Sequence, residues 1–390
     1  MSLLVLSSSD VDHVSSKFTP KELQDLMARV FHLISSPPQS PPLVATPHRT
    51  SIPMQNHTAL FMPARLSHPA LHGTTLKAVC VPRKSGDTRG LPASTIVLDE
   101  DTGAVKAIVN ARSLTALRNA AGSLLSTTLV GLHHPTSVVT FGAGKQIEAH
   151  LDLHLRSFPS ITSCTIVNRT LNARVQSLQS LLAARFPRVS ITLKRLPSST
   201  SHNAQAEAEA EAEAEDVRNT VRSASLIICA TPSASPLFPS SWVRTGTHVV
   251  LIGSYTPAMR EVDRALVRRA IRGTALVDSR AACALEAGEL IDAGVDFTSD
   301  VVEMGERVAL ALGLGPSGSG SGEVVLNTLE EGAAVTSDSE KAGQGDLDGP
   351  ITMFKSVGVG VQDVAIACAV VAKAEEMGIG TVVADYDAPI

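Results

Sequence analysis

The sequence predicts an α/β protein in which a doubly wound parallel sheet is inserted into a split outer domain. Three observations predict it. From residue 137 onward, short β-branched runs alternate with segments of helical spacing, the pattern of parallel strands joined by crossover helices. The first of these runs closes on Gly142-Ala143-Gly144 and opens a helix. Strand-like and helical segments also stand before residue 135 and after residue 350, which one core divided by an insertion explains.

The elements follow in order. Leu76–Val81 and Thr95–Leu98 read as strands, and Ser113–Ser126 as an apolar-faced helix. Ser137–Gly144 (SVVTFGAG) enters the turn, Lys145–Arg156 has helical spacing, and Cys164–Arg169 (CTIVNR) is the second strand. Leu171–Phe186 is a helix and Val189–Leu196 alternates as a strand, with further strands at Ser225–Thr231, His248–Gly253 and Thr274–Ser279 and a helix over Glu261–Ala270. Met353–Gly378 reads as one buried helix. The expected organisation is therefore an outer domain of residues 1–135 plus 350–390 around an inner domain of 136–312. Two segments look like insertions: Ala204–Glu215, an Ala/Glu alternation with no apolar face, read as a solvated helix extension or a disordered loop, and 313–349, a Gly/Ser-rich linker or surface excursion.

A length of 390 residues suits two domains at roughly 150 residues each. Net charge is −5 and only 3% of residues are aromatic, which argues against a nucleic-acid surface with its basic field and stacking rings. No apolar run approaches the roughly 18 residues that cross a bilayer, so no membrane partner is expected. The N-terminus lacks the basic region and cleavage site of a secretory signal. Cys80, Cys164, Cys229, Cys283 and Cys368 are too dispersed for a metal pair or a disulfide framework, pointing to reduced thiols in a cytoplasmic protein. His48, His57, His133 and His134 have no zinc-like spacing, so no metal is expected.

A glycine turn between a strand and a helix can lay a pyrophosphate on helix N–H groups. Gly142 and Gly144 have that context, although the third fingerprint position, usually Gly or Ala, is Ile147, and a merely structural turn stays open. The second strand ends Asn168-Arg169-Thr170 where an NAD site would place an acid for the ribose hydroxyls. A guanidinium with no carboxylate beside it suits a 2′-phosphate. NADPH is thus the preferred cofactor and NAD the alternative, with Arg169 as a solvated loop residue the competing reading. Thr231 and Ser254 follow later strands, at the carboxyl edge where the cofactor's nicotinamide end and a substrate would meet.

Three cations have unusual surroundings. Lys77 shares a strand face with Val79 and Val81, as an edge residue or a ligand anchor. Arg118 shares the apolar face of its helix with Leu114, Ala121 and Leu125, and a guanidinium there needs a buried anion. Arg49 sits on a loop after a Pro-rich stretch. Each alone reads better as structural, a salt bridge or a snorkelling stem, than as a ligand anchor; together they describe a basic pocket for an α-carboxylate.

The stretches LVLSSSDV, LKAVCV, GLPASTIVLDEDTGAVKAIVNARSLTALRNAA, VVTFGAGKQIEAH, VNRT, ATPSASPLF, GTHVVLIGSYTPAMREVD, ALVDS with EAGEL, and MFKSVGVGVQDVAIA run in order along nearly the whole chain. In these the sequence resembles the ornithine cyclodeaminase/μ-crystallin family. The resemblance implies a Rossmann-type domain inserted in a split α+β domain that carries substrate binding and dimerisation, hence a homodimer. It implies a nicotinamide cofactor acting on small amino or imino acids. The family's carboxylate-binding positions match Arg49, Lys77 and Arg118, and its phosphate turn matches Gly142, Gly144 and Gln146.

Two departures bear on the reaction. Ornithine cyclodeaminases carry an Asp in the loop after the fifth Rossmann strand; here that loop is Gly253-Ser254-Tyr255-Thr256-Pro257, with Tyr255 in its place, and a phenol is no carboxylate near neutral pH. The family's Arg-Thr pair is Arg118-Asn119. The resemblance therefore implies an NADPH-dependent reductase of a cyclic ketimine carboxylate, with Lys77 and Arg118 as catalytic residues and Lys77 able to donate a proton. The alternatives are an amino-acid cyclodeaminase or alanine-dehydrogenase-like enzyme, and a non-catalytic NADPH-dependent ligand binder.

Overall fold

The computed structural model describes residues 2–83, 90–197, 204–312 and 347–387. Of the insertion expected at 313–349, residues 313–346 lie outside the described residues. The described chain divides into two compact units, one drawn from residues 2–122, 308–312 and 358–387, the other from 123–307 and 347–357.

The first unit opens with strand β1 (Leu3–Leu6) and helices α1 (Ser8–Ser15) and α2 (Pro20–Ser35). Thr19 caps α2, accepting from the Glu22 N–H, while the Glu22 carboxylate reaches back to Thr19 and Pro20 occupies the first turn. Strands β2 (Val44–Ala45), β3 (Thr50–Pro53), β4 (His57–His68), β5 (Leu71–Pro82), β6 (Ala93–Leu98) and β7 (Val105–Asn110) follow. Helix α3 (Leu114–Leu129) begins in this unit and continues, from Ser123, in the second.

The second unit alternates as the periodicity requires: β8 (Ser137–Phe141), α4 (Lys145–Ser157), β9 (Ser163–Asn168), α5 (Ala173–Arg185), β10 (Ser190–Arg195), α6 (Ala204–Ser223), β11 (Leu226–Cys229), β12 (His248–Leu251), α7 (Arg264–Arg272), β13 (Thr274–Val277), α8 (Arg280–Glu286), α9 (Gly288–Ala293), β14 (Val302–Glu303), α10 (Met304–Ala311) and β15 (Thr352–Lys355). All pairings in this eight-stranded sheet are parallel, in the order β10-β9-β8-β11-β12-β15-β13-β14. Strands β11 and β12 are buried at every position, as expected for strands covered on both faces. The order reverses between β8 and β11, and such a switch point is where open α/β sheets bind ligands.

The last elements return to the first unit: α11 (Gly360–Met377) and β16 (Thr381–Val383). Its sheet runs β16-β1-β7-β6-β5-β4-β2, with β3 also on β4. It is antiparallel except for the β1–β7 pair. Helix α11 packs on β4, β5 and β6.

Two sequence expectations change. Met353–Gly378 is not one helix, because β15 pairs with both β12 and β13 and α11 starts only at Gly360. The outer segment consequently begins at residue 358 rather than 350, and the first seam falls at 122 rather than 135. Ala204–Glu215 belongs to a continuous helix ending at Ser223. Its buried anchors, Val217 and Val221, lie beyond the Ala/Glu run.

Candidate functional site

The first unit gathers the predicted cations. Lys77, on the inward face of β5, places its ammonium 2.6 Å from Asp363 Oδ2 with both side chains 3% exposed. The Arg118 Nε lies 3.3 Å from Asp363 Oδ1. Arg118 Nη1 also donates to Gln362 Oε1 at 2.7 Å and to the Asn119 side-chain carbonyl. Gln362 is fixed in turn, its Oε1 accepting from the Val359 N–H at 3.2 Å. Burial pushes the Lys77 ammonium below its ordinary pKa, Asp363 opposes the shift, and Arg118 and Arg49 add to it. Arg49, half-buried between β2 and β3, is thus close enough to act on Lys77. The anion that Arg118 requires is Asp363, which the sequence reading quoted but did not single out. It sits in α11 among Val364, Ala365, Ile366 and Ala367, all buried, and an acid in such a run is itself a signal.

In the second unit the glycine turn joins β8 to α4. Gly142 adopts φ +106°, and a Cβ there would stand 3.0 Å from the Ala230 carbonyl, so only glycine suits the position. Gly144 caps α4 without a side-chain hydrogen bond, and a Cβ built on it would meet nothing within 4 Å. The first N–H groups of a 13-residue helix are therefore left to an open cradle of the kind that receives phosphate. Gln146 is half-buried in the first turn and its carbonyl pairs with His150. Ile147, the departure at the third position, is fully buried in the core.

Beyond β9, the Asn168 amide donates to the Thr170 carbonyl at 2.8 Å and Asn172 caps α5, leaving Arg169 and Thr170 exposed. No acid occurs between residues 164 and 178, and Arg195 of β10 pairs in register with Asn168. Arg195 is ion-paired, its Nε 3.7 Å from Glu213 of α6, whereas Arg169 is exposed at the loop. Thr231 and Ser254 do reach the carboxyl edge of the sheet, but their side chains are engaged within the chain: Thr231 Oγ1 donates to Glu261 at 3.1 Å, and Ser254 is buried against Lys355 and Glu289. The sequence reading missed Glu261, Glu289 and Lys355. Lys355 was hidden by the helical reading of its strand.

Three histidines missed by the sequence reading are buried beside α3. Ser123, Ser126 and Thr127 set their hydroxyls 2.8, 3.1 and 3.1 Å from His150, His248 and His154 Nε2 respectively. Burial lowers the imidazoles to about 3 for His150, about 3 for His248 and about 4 for His154. Among the described residues no group of His, Cys, Asp and Glu could hold a metal ion, and no helix is long and apolar enough to cross a membrane. All five cysteines are free thiols.

A parallel sheet with a glycine turn at its switch point defines a protein of the Rossmann, dinucleotide-binding class of fold. The chain belongs to the ornithine cyclodeaminase/mu-crystallin family, whose model matches residues 11–378. It is 25% identical over 263 residues to the ketimine reductase mu-crystallin of Mus musculus, covering 67% of this chain and 74% of that one. It is 24% identical over 337 residues to a Delta(1)-pyrroline-2-carboxylate reductase of Bacillus cereus, covering 86% and 88%. The fold matches the Thermococcus litoralis Delta(1)-pyrroline-2-carboxylate reductase solved with NADH and L-proline, with a TM-score of 0.72 at 22% identity, covering 97% of this chain and 99% of that one.

Proposed function

We propose that this protein is an NADPH-dependent reductase of a cyclic ketimine carboxylate, pyrroline-2-carboxylate or piperideine-2-carboxylate, yielding the L-imino acid, and that it works as a cytoplasmic homodimer. The observation that carries the reading is a charge imbalance. Lys77 and Arg118 are both buried, and among the described residues they share the single carboxylate of Asp363. Two desolvated cations on one anion leave positive charge to be met by a ligand, and a monocarboxylate meets it. Its relatives include a reductase named for pyrroline-2-carboxylate, a monocarboxylate, and one named for ketimines.

In this reading Gly142, Gly144 and Gln146 hold the pyrophosphate, and Asn168, Arg169 and Thr170 the 2′-phosphate, with Thr231 and Ser254 at the nicotinamide end. Bound NADPH supplies a hydride. Arg118, with Lys77 and Arg49, binds and orients the substrate carboxylate, restricting the ring to reactive placements. Reduction of C=N to CH–NH by that hydride would need one proton at the imine nitrogen. Lys77 Nζ donates that proton when the imine arrives unprotonated, a role its lowered pKa favours.

Tyr255 separates this from cyclodeamination, because a phenol cannot take the place of the amino-engaging carboxylate. The experiment is direct: purified protein is assayed with NADPH and each cyclic imine, and separately with ornithine and NAD⁺. NADPH oxidation with an imine and no ammonia from ornithine is the expected result. Ammonia and proline accumulating from ornithine would overturn it. NADPH bound without turnover of any imine would favour a ligand-binding protein.

A further inference from the structure

The second unit buries a charged cluster that the proposed reaction leaves unused. Glu261, ahead of α7, is fully buried. Its Oε1 accepts from the Thr231 N–H at 2.7 Å and its Oε2 from the Gly253 N–H at 2.7 Å. Thr231 follows β11 and Gly253 follows β12, so one carboxylate ties together the exits of two neighbouring strands. There is no slack in the arrangement, since a Cβ on Gly253 would collide with the Thr231 backbone and with Glu261.

Behind this carboxylate stands a second tie. Lys355, at the end of β15, places Nζ 3.0 Å from Glu289 Oε1 of α9 and donates to Ser254 Oγ at 2.6 Å and to the Ser254 carbonyl, while Ser254 Oγ donates to Glu289. All three side chains are buried. Apolar residues would fill such a space at a lower desolvation cost. The cluster instead anchors two loops at the carboxyl edge of a parallel sheet, the edge at which α/β folds bind their ligands.

We propose that Glu261 is a positioning residue for the cofactor, holding the Thr231 and Gly253–Ser254 loops, with Lys355 and Glu289 behind them, as a fixed floor for the nicotinamide end. The inference rests on the dinucleotide reading above. Burial pushes the Glu261 carboxyl up to about 7, with Lys355 opposing, Glu289 reinforcing, and the Thr231 and Gly253 amides opposing. The ionised form, which accepts from both amides, is thus lost as pH falls through neutrality.

The test uses the full chain and two ligands that differ only at the nicotinamide: NADPH against 2′-phospho-ADP-ribose, or NADH against ADP-ribose if the unphosphorylated pair binds tighter. Glu261→Gln keeps one acceptor oxygen and sets an amide group against the second N–H. Its Kd for the reduced dinucleotide should rise about tenfold and the emission of the bound nicotinamide should move toward that of the free cofactor. Its Kd for the ribose fragment should not change. If the variant does not fold, the wild-type protein alone decides: dinucleotide affinity should weaken as pH falls through about 7 while fragment affinity stays level. Equal dinucleotide affinity and emission in the variant, parallel loss of both ligands, or identical pH profiles would overturn the inference and leave the cofactor reading intact. A wild-type protein that binds neither pair would overturn both.

Discussion

Gly358 lies hard against Arg118: at φ +84°, a Cβ on the glycine would stand 2.7 Å from both terminal nitrogens of the guanidinium. Asp363, Gln362 and Asn119 hold the arginine from other directions, so it cannot retreat without losing a partner. Gly358→Ala should cost about 1–2 kcal/mol from the left-handed backbone alone. The displaced guanidinium should also lower kcat/KM by at least about tenfold, most of it in KM for the imine carboxylate. Thermal melts together with steady-state kinetics check both parts, and an unchanged KM would show that Arg118 does not bind substrate.

Arg169 should set the cofactor preference. It is exposed beside a loop without acids, and a charge-assisted contact of this kind is worth roughly 1.5–3 kcal/mol. Arg169→Ala should reduce the ratio of kcat/KM for NADPH over NADH by that amount and leave the NADH value unchanged. A wild-type preference for NADH would contradict the prediction.

Acid should unfold the protein steeply. His150, His154 and His248 have native pKa values of about 3, 4 and 3, against about 6.5 in an unfolded chain. Between those limits the unfolded state takes up protons that the native state refuses, so stability is complete above pH 6.5 and falls as pH falls. Glu261, raised to about 7, works in the opposite sense from neutrality down to its unfolded value of about 4.3. The balance is close to two protons, or about 3 kcal/mol lost per pH unit between roughly pH 6 and 4.5. Urea unfolding across that range measures it, and His154→Leu should flatten the slope by about one proton.

Shortening Ala204–Glu215 should be nearly silent. Among the described side chains of α6 the buried ones include Val217 and Val221, whereas Glu213 and Glu215 form surface ion pairs with Arg195 and Arg218, each worth at most about 1 kcal/mol. A truncated chain joined at Asp216 should keep its melting temperature within a few degrees and its cofactor affinity unchanged. A chain that fails to fold would reveal packing by the Ala/Glu run.

What the sequence made legible was what depends on neighbours along the chain. The Gly142 turn, the Asn168-Arg169-Thr170 loop and the alternation from β8 to β13 are local patterns, and each stands where periodicity placed it. Lys77 and Arg118 were recognisable because a charge on an apolar face is anomalous without any partner in view. Asp363 lies 286 residues from Lys77, so its meaning exists only once α11 crosses β5. Strand β15 was lost for a related reason: four residues followed closely by a long helix have no periodicity of their own, and only β12 and β13 make them a strand. His150 and His154 stand four apart on α4 and bind hydroxyls of α3, a relation that spacing alone shows only as a pair on one helix face.

The place of β15 also sets a schedule for biosynthesis. Its residues, 352–355, fill the slot between strands made of residues 248–251 and 274–277. A nascent chain that has emerged only as far as β14 holds both walls of that slot with nothing between them, and its dinucleotide-binding half stays open at the centre. A chain that stops before residue 352 presents two bare strand edges for chaperones or proteases to read.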